Sequence, residues 1–303
     1  MAVELKAGRR TVEISRPDKQ LIPPAVTKAD LAGYYAEIAG VMLPHVENRP
    51  LNYERYPDGI EGNRIFQQHA GSHFPGWIKT AELPKKGGTV KHVLASEPAT
   101  LVYLANQACI TFHSWLSRAD RPTRPDKMVF DLDPSIERPD EMRHAARLIA
   151  DQLTELGLKP WAMTSGSRGY HIVVSLQRRA EYDAVRTFSR DFATLAASRD
   201  PELFTIEQRK AKREDKILID YMRNGYGHTS VTPYSVRARP HAPVAAPLHL
   251  EELSDDATVP QRWTTSNVLE RVERDGDPWR DFARGGQTLT QARKQLDRAL
   301  AEL

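Results

Sequence analysis

The segment Met128-Val129-Phe130-Asp131-Leu132-Asp133-Pro134-Ser135 constrains this chain more than any other, because three apolar residues run directly into two carboxylates one residue apart. The apolar run reads as a strand, and Pro134, which cannot donate to a ladder, ends it. Residues i and i+2 of a strand point to one face, so Asp131 and Asp133 project together. Like charges so placed repel. A divalent cation between them relieves the repulsion, and hard oxygen ligands on a rigid strand suit Mg²⁺ or Mn²⁺. The same Asp-x-Asp-Pro pattern also suits a helix-capping turn, so by itself it leaves both readings open.

Further segments bear on that choice. Trp161 to Ser175 reads as strand, small-residue turn, strand, with Ser165-Gly166-Ser167-Arg168-Gly169 at the turn and His171 at the start of the second strand. Small residues let backbone N–H groups approach a phosphate, and Arg168 adds a charged fork. A plain hairpin with an exposed arginine gives the same pattern. Lys216-Ile217-Leu218-Ile219-Asp220-Tyr221 is a second apolar run ending in a carboxylate, and Asp220 could complete a metal triad or simply close a strand. In Pro233-Tyr234-Ser235-Val236-Arg237-Ala238-Arg239 the spacing puts Arg237 and Arg239 on one face of an extended segment, suited either to a triphosphate or to solvent. His113 lies on an alternating strand beside Ile110, Phe112 and Trp115, where a buried, hydrogen-bonded histidine is the ordinary case.

Together these motifs resemble the archaeo-eukaryotic primase superfamily, and within it the polymerase module of bacterial ATP-dependent DNA ligase D. The resemblance spans nearly the whole chain. It takes in Arg16-Pro17-Asp18-Lys19, Lys28, Tyr34-Tyr35, Arg55-Tyr56-Pro57-Asp58-Gly59, the Asp131 and Asp133 segment, Thr164 through His171, Asp220-Tyr221, and Pro233 through Arg239. It implies that Asp131, Asp133 and Asp220 hold two Mn²⁺ or Mg²⁺ ions. It further implies that Ser165, Arg168, His171, Arg237 and Arg239 bind the phosphates of an NTP or dNTP, with His113 near the sugar. By the same resemblance Lys19 and Lys28 take a DNA 5′-phosphate, and Arg55 and Phe66 lie on the DNA. Where relatives can carry two aromatics, this chain has Phe66-Gln67, which removes one stacking platform.

The implied fold class is α/β (α+β), a primase-like catalytic core with mixed or antiparallel sheets flanked by helices. The implied organisation is one primase-polymerase domain over 1–303, with a DNA-end-binding part at about 1–100, a catalytic core at about 101–250 and a helical part at about 251–303. The implied function is template-directed DNA/RNA polymerisation at gapped or 5′-phosphorylated ends in bacterial non-homologous end joining, with ready use of ribonucleotides. Its implied partners are DNA, nucleoside triphosphates, ligase and phosphoesterase modules of a longer protein, and bacterial Ku. Two rivals are a non-catalytic DNA-end-binding module and a haloacid-dehalogenase-type phosphohydrolase. The latter wants a separate lysine and a later acidic pair, whereas here arginines follow Asp220.

Composition is consistent with these expectations without selecting among them. Forty-three Lys and Arg against 40 Asp and Glu leave a net charge of +3, so any DNA-binding surface must be local. Lys85-Lys86 with Lys91, and Arg209 through Arg213 with Lys216, are candidate basic loops. The single Cys109 excludes an internal disulfide and a cysteine zinc site. No apolar run reaches membrane length and no signal-peptide pattern is present, which makes a bacterial cytoplasmic location the expectation. Thr27-Lys28-Ala29-Asp30 predicts a capping box, with Lys28 in a first turn whose exposed N–H groups would assist a phosphate. Further helices are predicted near 139–156, 181–197 and 289–303, and Trp77 and Trp279 are predicted to be core.

Overall fold

The computed structural model describes residues 2–24 and 26–303. Strands β1 (Ala2–Ala7), β2 (Arg10–Ser15), β3 (Gln20–Ile22) and β4 (Val26–Thr27) precede helix α1 (Lys28–Val46). There follow β5 (Pro50–Arg55), β6 (Ile65–Gln67), β7 (Thr80–Lys85), β8 (Gly88–Leu94), α2 (Pro98–Asn106), β9 (Cys109–Trp115), β10 (Lys127–Pro134) and α3 (Pro139–Glu155). Next come β11 (Pro160–Thr164), β12 (Tyr170–Ser175), α4 (Tyr182–Arg199), β13 (Phe204–Thr205), β14 (Ile217–Asp220), β15 (Thr229–Val231) and β16 (Pro247–Leu248). Helices α5 (Val268–Asp275) and α6 (Thr290–Ala301) complete the chain. The predicted helices near 139, 181 and 289 are thus α3, α4 and α6.

These elements form two compact units. The first comprises 1–120, 229–246 and 263–277, and the second 121–228, 247–262 and 278–303. The first unit is built on the sheet β15-β9-β5-β8-β7, with β6 added to β5, and all its neighbours are antiparallel. One face of β5 and β9 is apolar core, carried by Tyr53, Phe112 and Ile110, against which Tyr35 of α1 packs edge-on to Phe112. The Tyr35 hydroxyl donates to the Ile110 carbonyl at 2.6 Å, and burial pushes its ionisation well up. The predicted capping box is present: Thr27 Oγ1 accepts from Asp30 N, and Asp30 Oδ2 accepts from Thr27 N at 2.9 Å.

The second unit is built on the sheet β13-β14-β10-β12-β11-β16, in which β13 and β14 are parallel and every other pair is antiparallel. The strand that ends in Asp131 and Asp133 is therefore central, between β12 and β14. Met128, Val129 and Phe130 are each at most 1% exposed, because α3 and α4 cover the sheet and Phe130 packs on Phe192 of α4. Trp279 is core, as predicted: it is 1% exposed, stacks on Phe282 and donates Nε1–H to the Ala162 carbonyl. Trp77 differs, since it is only half-buried, with Tyr103 against its edge and the Arg10 guanidinium over its ring.

The segment carrying Arg237 and Arg239 is also not extended. Arg239 N–H bonds back to the Arg237 carbonyl at 2.8 Å, and Ala242 N–H to the Arg239 carbonyl, so the chain reverses here. Pro240 fixes its own φ, and His241 and Ala242 adopt positive φ values of 65° and 48°. These local constraints override the alternation read from sequence. Among the described residues no helix is long and apolar enough to cross a membrane.

Candidate active site and nucleic-acid-binding residues

In the second unit, register brings the acidic residues together. Asp131 on β10 stands directly opposite Asp220 on β14 and opposite His171 on β12. Cross-strand partners share a face, so the three side chains meet there. Asp133 lies two residues further along that face, while Leu132 between them points into the core at 1% exposure. Asp131, Asp133 and Asp220 remain partly exposed.

Side-chain nitrogens of His171, Arg168, Arg213 and Arg223 answer the carboxylates. His171 Nε2 is 3.2 Å from Asp131 Oδ1, and Arg223 Nε lies 3.3 Å from Asp131 and 3.2 Å from Asp220. Asp133 accepts from Arg168 at 3.0 Å and from Arg213 at 2.9 Å. Burial raises the Asp220 carboxyl above its ordinary range; Arg223 opposes this, and the Asp131 charge adds to it. Conversely, burial lowers the Arg223 guanidinium, but the two carboxylates more than compensate and hold it above its usual value. Among the described residues, no three His, Cys, Asp or Glu side chains are arranged to hold a metal ion as they stand.

Sequence reading missed Arg223 and misjudged Arg213. Arg223 sits in a single 3₁₀ turn, Met222–Asn224, pinned because Asn224 bonds both the N–H and the carbonyl of Val129. Arg213 belongs to the predicted basic loop but is only 7% exposed. It donates to the carbonyls of Glu207 and Gln208 and turns its remaining nitrogen onto Asp133. The clue in the sequence was limited to an arginine three residues past Asp220, a spacing too common to single out.

The Ser165 turn packs against the acidic strand at very close range. A Cβ built on Gly169 would fall within 3.0 Å of the Leu132 carbonyl oxygen, so only glycine fits between the two aspartates' backbone and the turn. The Ser165 hydroxyl accepts from Ser167 N–H and Gly169 N–H, each at 3.2 Å, so part of the predicted N–H cradle is filled by the turn's own serine. His171 is 4% exposed, and its Nδ1 has no hydrogen-bond partner among the described residues.

The first unit carries the other predicted residues. His113 and Phe66 lie on the polar face of the sheet, with ring centroids 5.9 Å apart. Between them stands Glu54, directly opposite Phe66 on β6 and Thr111 on β9. Burial alone would raise the Glu54 carboxyl, but the His113 hydrogen bond and charge, the Tyr56 hydroxyl and the Arg237 charge outweigh it and hold it at about 2. Arg55 is engaged on the carbonyl of Gln107 at 2.9 Å and on Gln67 Oε1 at 3.1 Å.

Lys28 and Lys19 meet at the start of α1 with Arg16. Lys28 is 3% exposed, its ammonium held by the Ser15 carbonyl at 2.6 Å. Burial lowers its proton affinity, and the charges of Arg16 and Lys19 lower it further, as in a site short of an anion. Lys19 reaches the exposed Asp58 at 3.2 Å. The expected free N–H groups of the helix are not available: Lys28 N–H bonds the Lys19 carbonyl, Ala29 N–H the Pro17 carbonyl, and Asp30 N–H the Thr27 hydroxyl. Any phosphate here is met by side chains.

A family model described as LigD, primase-polymerase domain, matches residues 27–279. The multifunctional non-homologous end joining protein LigD of Pseudomonas aeruginosa is 35% identical over 300 residues, covering 97% of this chain and 35% of that protein. The bifunctional LigD of Bacillus subtilis is 30% identical over 264 residues, covering 86% of this chain and 42% of that protein. The chain thus spans about a third of the length of the curated relatives it matches. Among solved structures, the polymerase domain of Mycobacterium tuberculosis ligase D in complex with DNA aligns with a TM-score of 0.85 at 29% identity. That alignment covers 91% of this chain and 99% of that one.

Proposed function

Because the chain belongs to the LigD primase-polymerase domain family, we propose that it is a template-directed DNA/RNA polymerase, a nucleotidyltransferase that fills short gaps at double-strand breaks in bacterial non-homologous end joining. The observation that carries this reading is the register that sets Asp131 against both Asp220 and His171 on a central strand, with Asp133 on the same face.

In nucleotidyl transfer a primer 3′-hydroxyl attacks the α-phosphorus of a nucleoside triphosphate. Two Mn²⁺ or Mg²⁺ ions, held by Asp131, Asp133 and Asp220, would supply activation of the hydroxyl and neutralisation of the leaving oxygens. The donor set fits such ions: all three offer hard oxygens, and Asp220 carries a cost from burial and from the Asp131 charge that a divalent cation relieves. Ser165, Arg168 and His171 would take the nucleotide's phosphates beside these aspartates, whereas the nucleotide-binding roles expected of His113, Arg237 and Arg239 rest on the family resemblance alone. Guanidinium groups suit that task because they place charge-assisted donors where negative charge collects, and an imidazole N–H or a hydroxyl adds a further donor.

Lys19 and Lys28 take the 5′-phosphate beyond a gap, and Arg55 and Phe66 contact the DNA. The shortage of anionic charge around Lys28 supports this, as does the DNA bound to the Mycobacterium tuberculosis domain. The relatives are described as multifunctional or bifunctional end-joining proteins. Those descriptions support a place for the chain beside other end-joining modules of a longer protein; ligase and phosphoesterase as those modules, bacterial Ku as a partner, a cytoplasmic location and use of ribonucleotides are proposed from the family resemblance alone.

The test is extension of a labelled primer across a short gap bearing a 5′-phosphate, with Mn²⁺ and each nucleotide type, by the wild type and by Asp131→Ala with Asp133→Ala. Templated extension by the wild type alone is the expected result. Tight binding of the gap without extension would replace the reading with that of an end-binding module, and phosphate release from small monoesters with that of a hydrolase.

A further inference from the structure

Strand β14 stops at the very residue whose carboxylate the proposed reaction needs. Its pairing with β10 runs from Pro134↔Ile217 to Asp131↔Asp220 and ends there. The two aspartates therefore occupy the last rung of the ladder, where pairing opens most easily, and like charges directly opposite each other push that rung apart.

Continued by one more hydrogen-bonded rung, 131↔220 would be followed by 129↔222, so the Val129 backbone calls for Met222 as its partner. Met222 cannot serve. After Asp220 the chain enters the 3₁₀ turn Met222–Asn224, and the Met222 N–H bonds the Asp220 carboxylate at 2.9 Å instead. A side chain supplies the missing rung. Asn224 Oδ1 accepts from the Val129 N–H at 2.8 Å, and Asn224 Nδ2 donates to the Val129 carbonyl at 2.7 Å and to the Tyr221 carbonyl at 3.0 Å. Asn224 is 0% exposed and Val129 1%, so both groups of Val129 are met away from bulk water.

We propose that Asn224 is a positioning residue for the metal-binding carboxylates: its amide acts as an additional rung of the β10–β14 ladder and holds Asp131 opposite Asp220. This role rests on the reading of Asp131 and Asp220 as ligands of a divalent cation.

An asparagine that merely closes a turn would need only the bond to Tyr221. The other two bonds cross to a strand 95 residues away, and they meet it two residues before Asp131. Residues i and i+2 of a strand turn their backbone groups to the same neighbour, so anchoring Val129 fixes how Asp131 meets β14. On the opposite strand the Met222 N–H orients Asp220 itself. One three-residue turn thus grips both sides of the carboxylate pair. Burial and the Asp131 charge both work against an ionised Asp220, although Arg223 opposes them, so the pair is held close against a cost.

The experiment compares the complete chain as wild type, Asn224→Ala, Asn224→Ser, Leu296→Ala, and Asp131→Ala with Asp133→Ala. Alanine removes all three bonds, and serine, the milder change, is too short to meet both groups of Val129. Leu296→Ala controls for stability, because it opens a cavity in the core of the same unit, on α6, which packs on α4. The readout is the EPR signal of free Mn²⁺ titrated with nucleotide-free protein, well below every melting midpoint. The wild type should bind Mn²⁺ and the double aspartate variant should not. Both Asn224 variants should bind it roughly tenfold or more weakly, as loss of a group that orients a metal ligand does. Leu296→Ala should stay within about twofold of wild type, the size of a substitution effect at a separate site.

Wild-type Mn²⁺ affinity in the Asn224 variants overturns the positioning role and leaves the metal reading standing. Equal weakening in Leu296→Ala overturns it as well, because affinity would then follow general stability. Mn²⁺ binding that is absent from the wild type, or that survives in the double aspartate variant, removes the metal reading and the role of Asn224 with it.

Discussion

Replacing Gly169 by alanine should damage this protein far more than an alanine in a turn ordinarily does, and the reason is space rather than backbone angle. Gly166 in the same turn has a φ of 61°, but Gly169 is not among the residues with positive φ. A Cβ at Gly169 would instead fall within 3.0 Å of the Leu132 carbonyl oxygen, with the Leu132 carbonyl carbon at 3.1 Å and Met142 Cε at 3.3 Å. Met142 can yield, but the Leu132 backbone cannot, since Leu132 is paired to both Tyr170 and Ile219 in the centre of a six-stranded sheet. Overpacking of this kind costs about 1–3 kcal/mol, and a backbone obstacle puts Gly169→Ala at the upper end or beyond. Relief requires the turn and the strand to part, which moves Ser165 and Arg168 away from Asp131 and Asp133; a displacement of about 1 Å can reduce rate about 100-fold. Gly40→Ala is the control: Gly40 is exposed on α1 with nothing within 4 Å of its Cβ, and the exchange should stabilise by about 0.5–1 kcal/mol. Urea melts followed by circular dichroism, with gap filling measured alongside, read both effects. A Gly169→Ala midpoint equal to wild type would refute the argument, because it would mean that the turn is not held against the strand.

Asp220→Asn should separate stability from activity: burial and Asp131 raise the Asp220 carboxyl, so its charge costs stability as pH rises through that value. The variant should melt higher than wild type at pH 7 without metal, yet lose gap filling by a factor of a hundred or more. Glu54 gives the opposite sign. Its carboxyl is held at about 2, so its contribution of roughly 3 kcal/mol is present above pH 4.5 and is lost as pH falls towards 2. Glu54→Gln should flatten that acid limb in melts taken from pH 5 to pH 2. Lys28→Ala should erase most of the preference for a 5′-phosphorylated over an unphosphorylated gap, about tenfold, in fluorescence anisotropy. An unchanged preference would remove Lys28 from the DNA-end site.

What the sequence by itself determined are the features whose cause is local. The alternation around Asp131 and Asp133 dictates a shared face, and the burial of Leu132 between two partly exposed carboxylates agrees. The Thr27 capping box and helices α1, α3, α4 and α6 follow from side chains within a few residues of each other. The run of motifs also carried the resemblance to the primase-like family that the family match and the structural likeness bear out. Local constraints that the alternation could not reveal, the bonds closing the chain between Arg237 and Ala242, ended the expected extended segment.

Tertiary structure alone decided how the charges are matched. Arg213 meets Asp133 across 80 residues, Arg223 meets Asp131 across 92, and Glu54 meets His113 across 59. Those pairs depend on which strands become neighbours and in what register, in sheets whose order is not the order of the chain. Period-two patterning specifies which face a residue takes but not which residue stands opposite, so a basic loop and an acidic strand in sequence become a set of ion pairs only once the sheet is assembled.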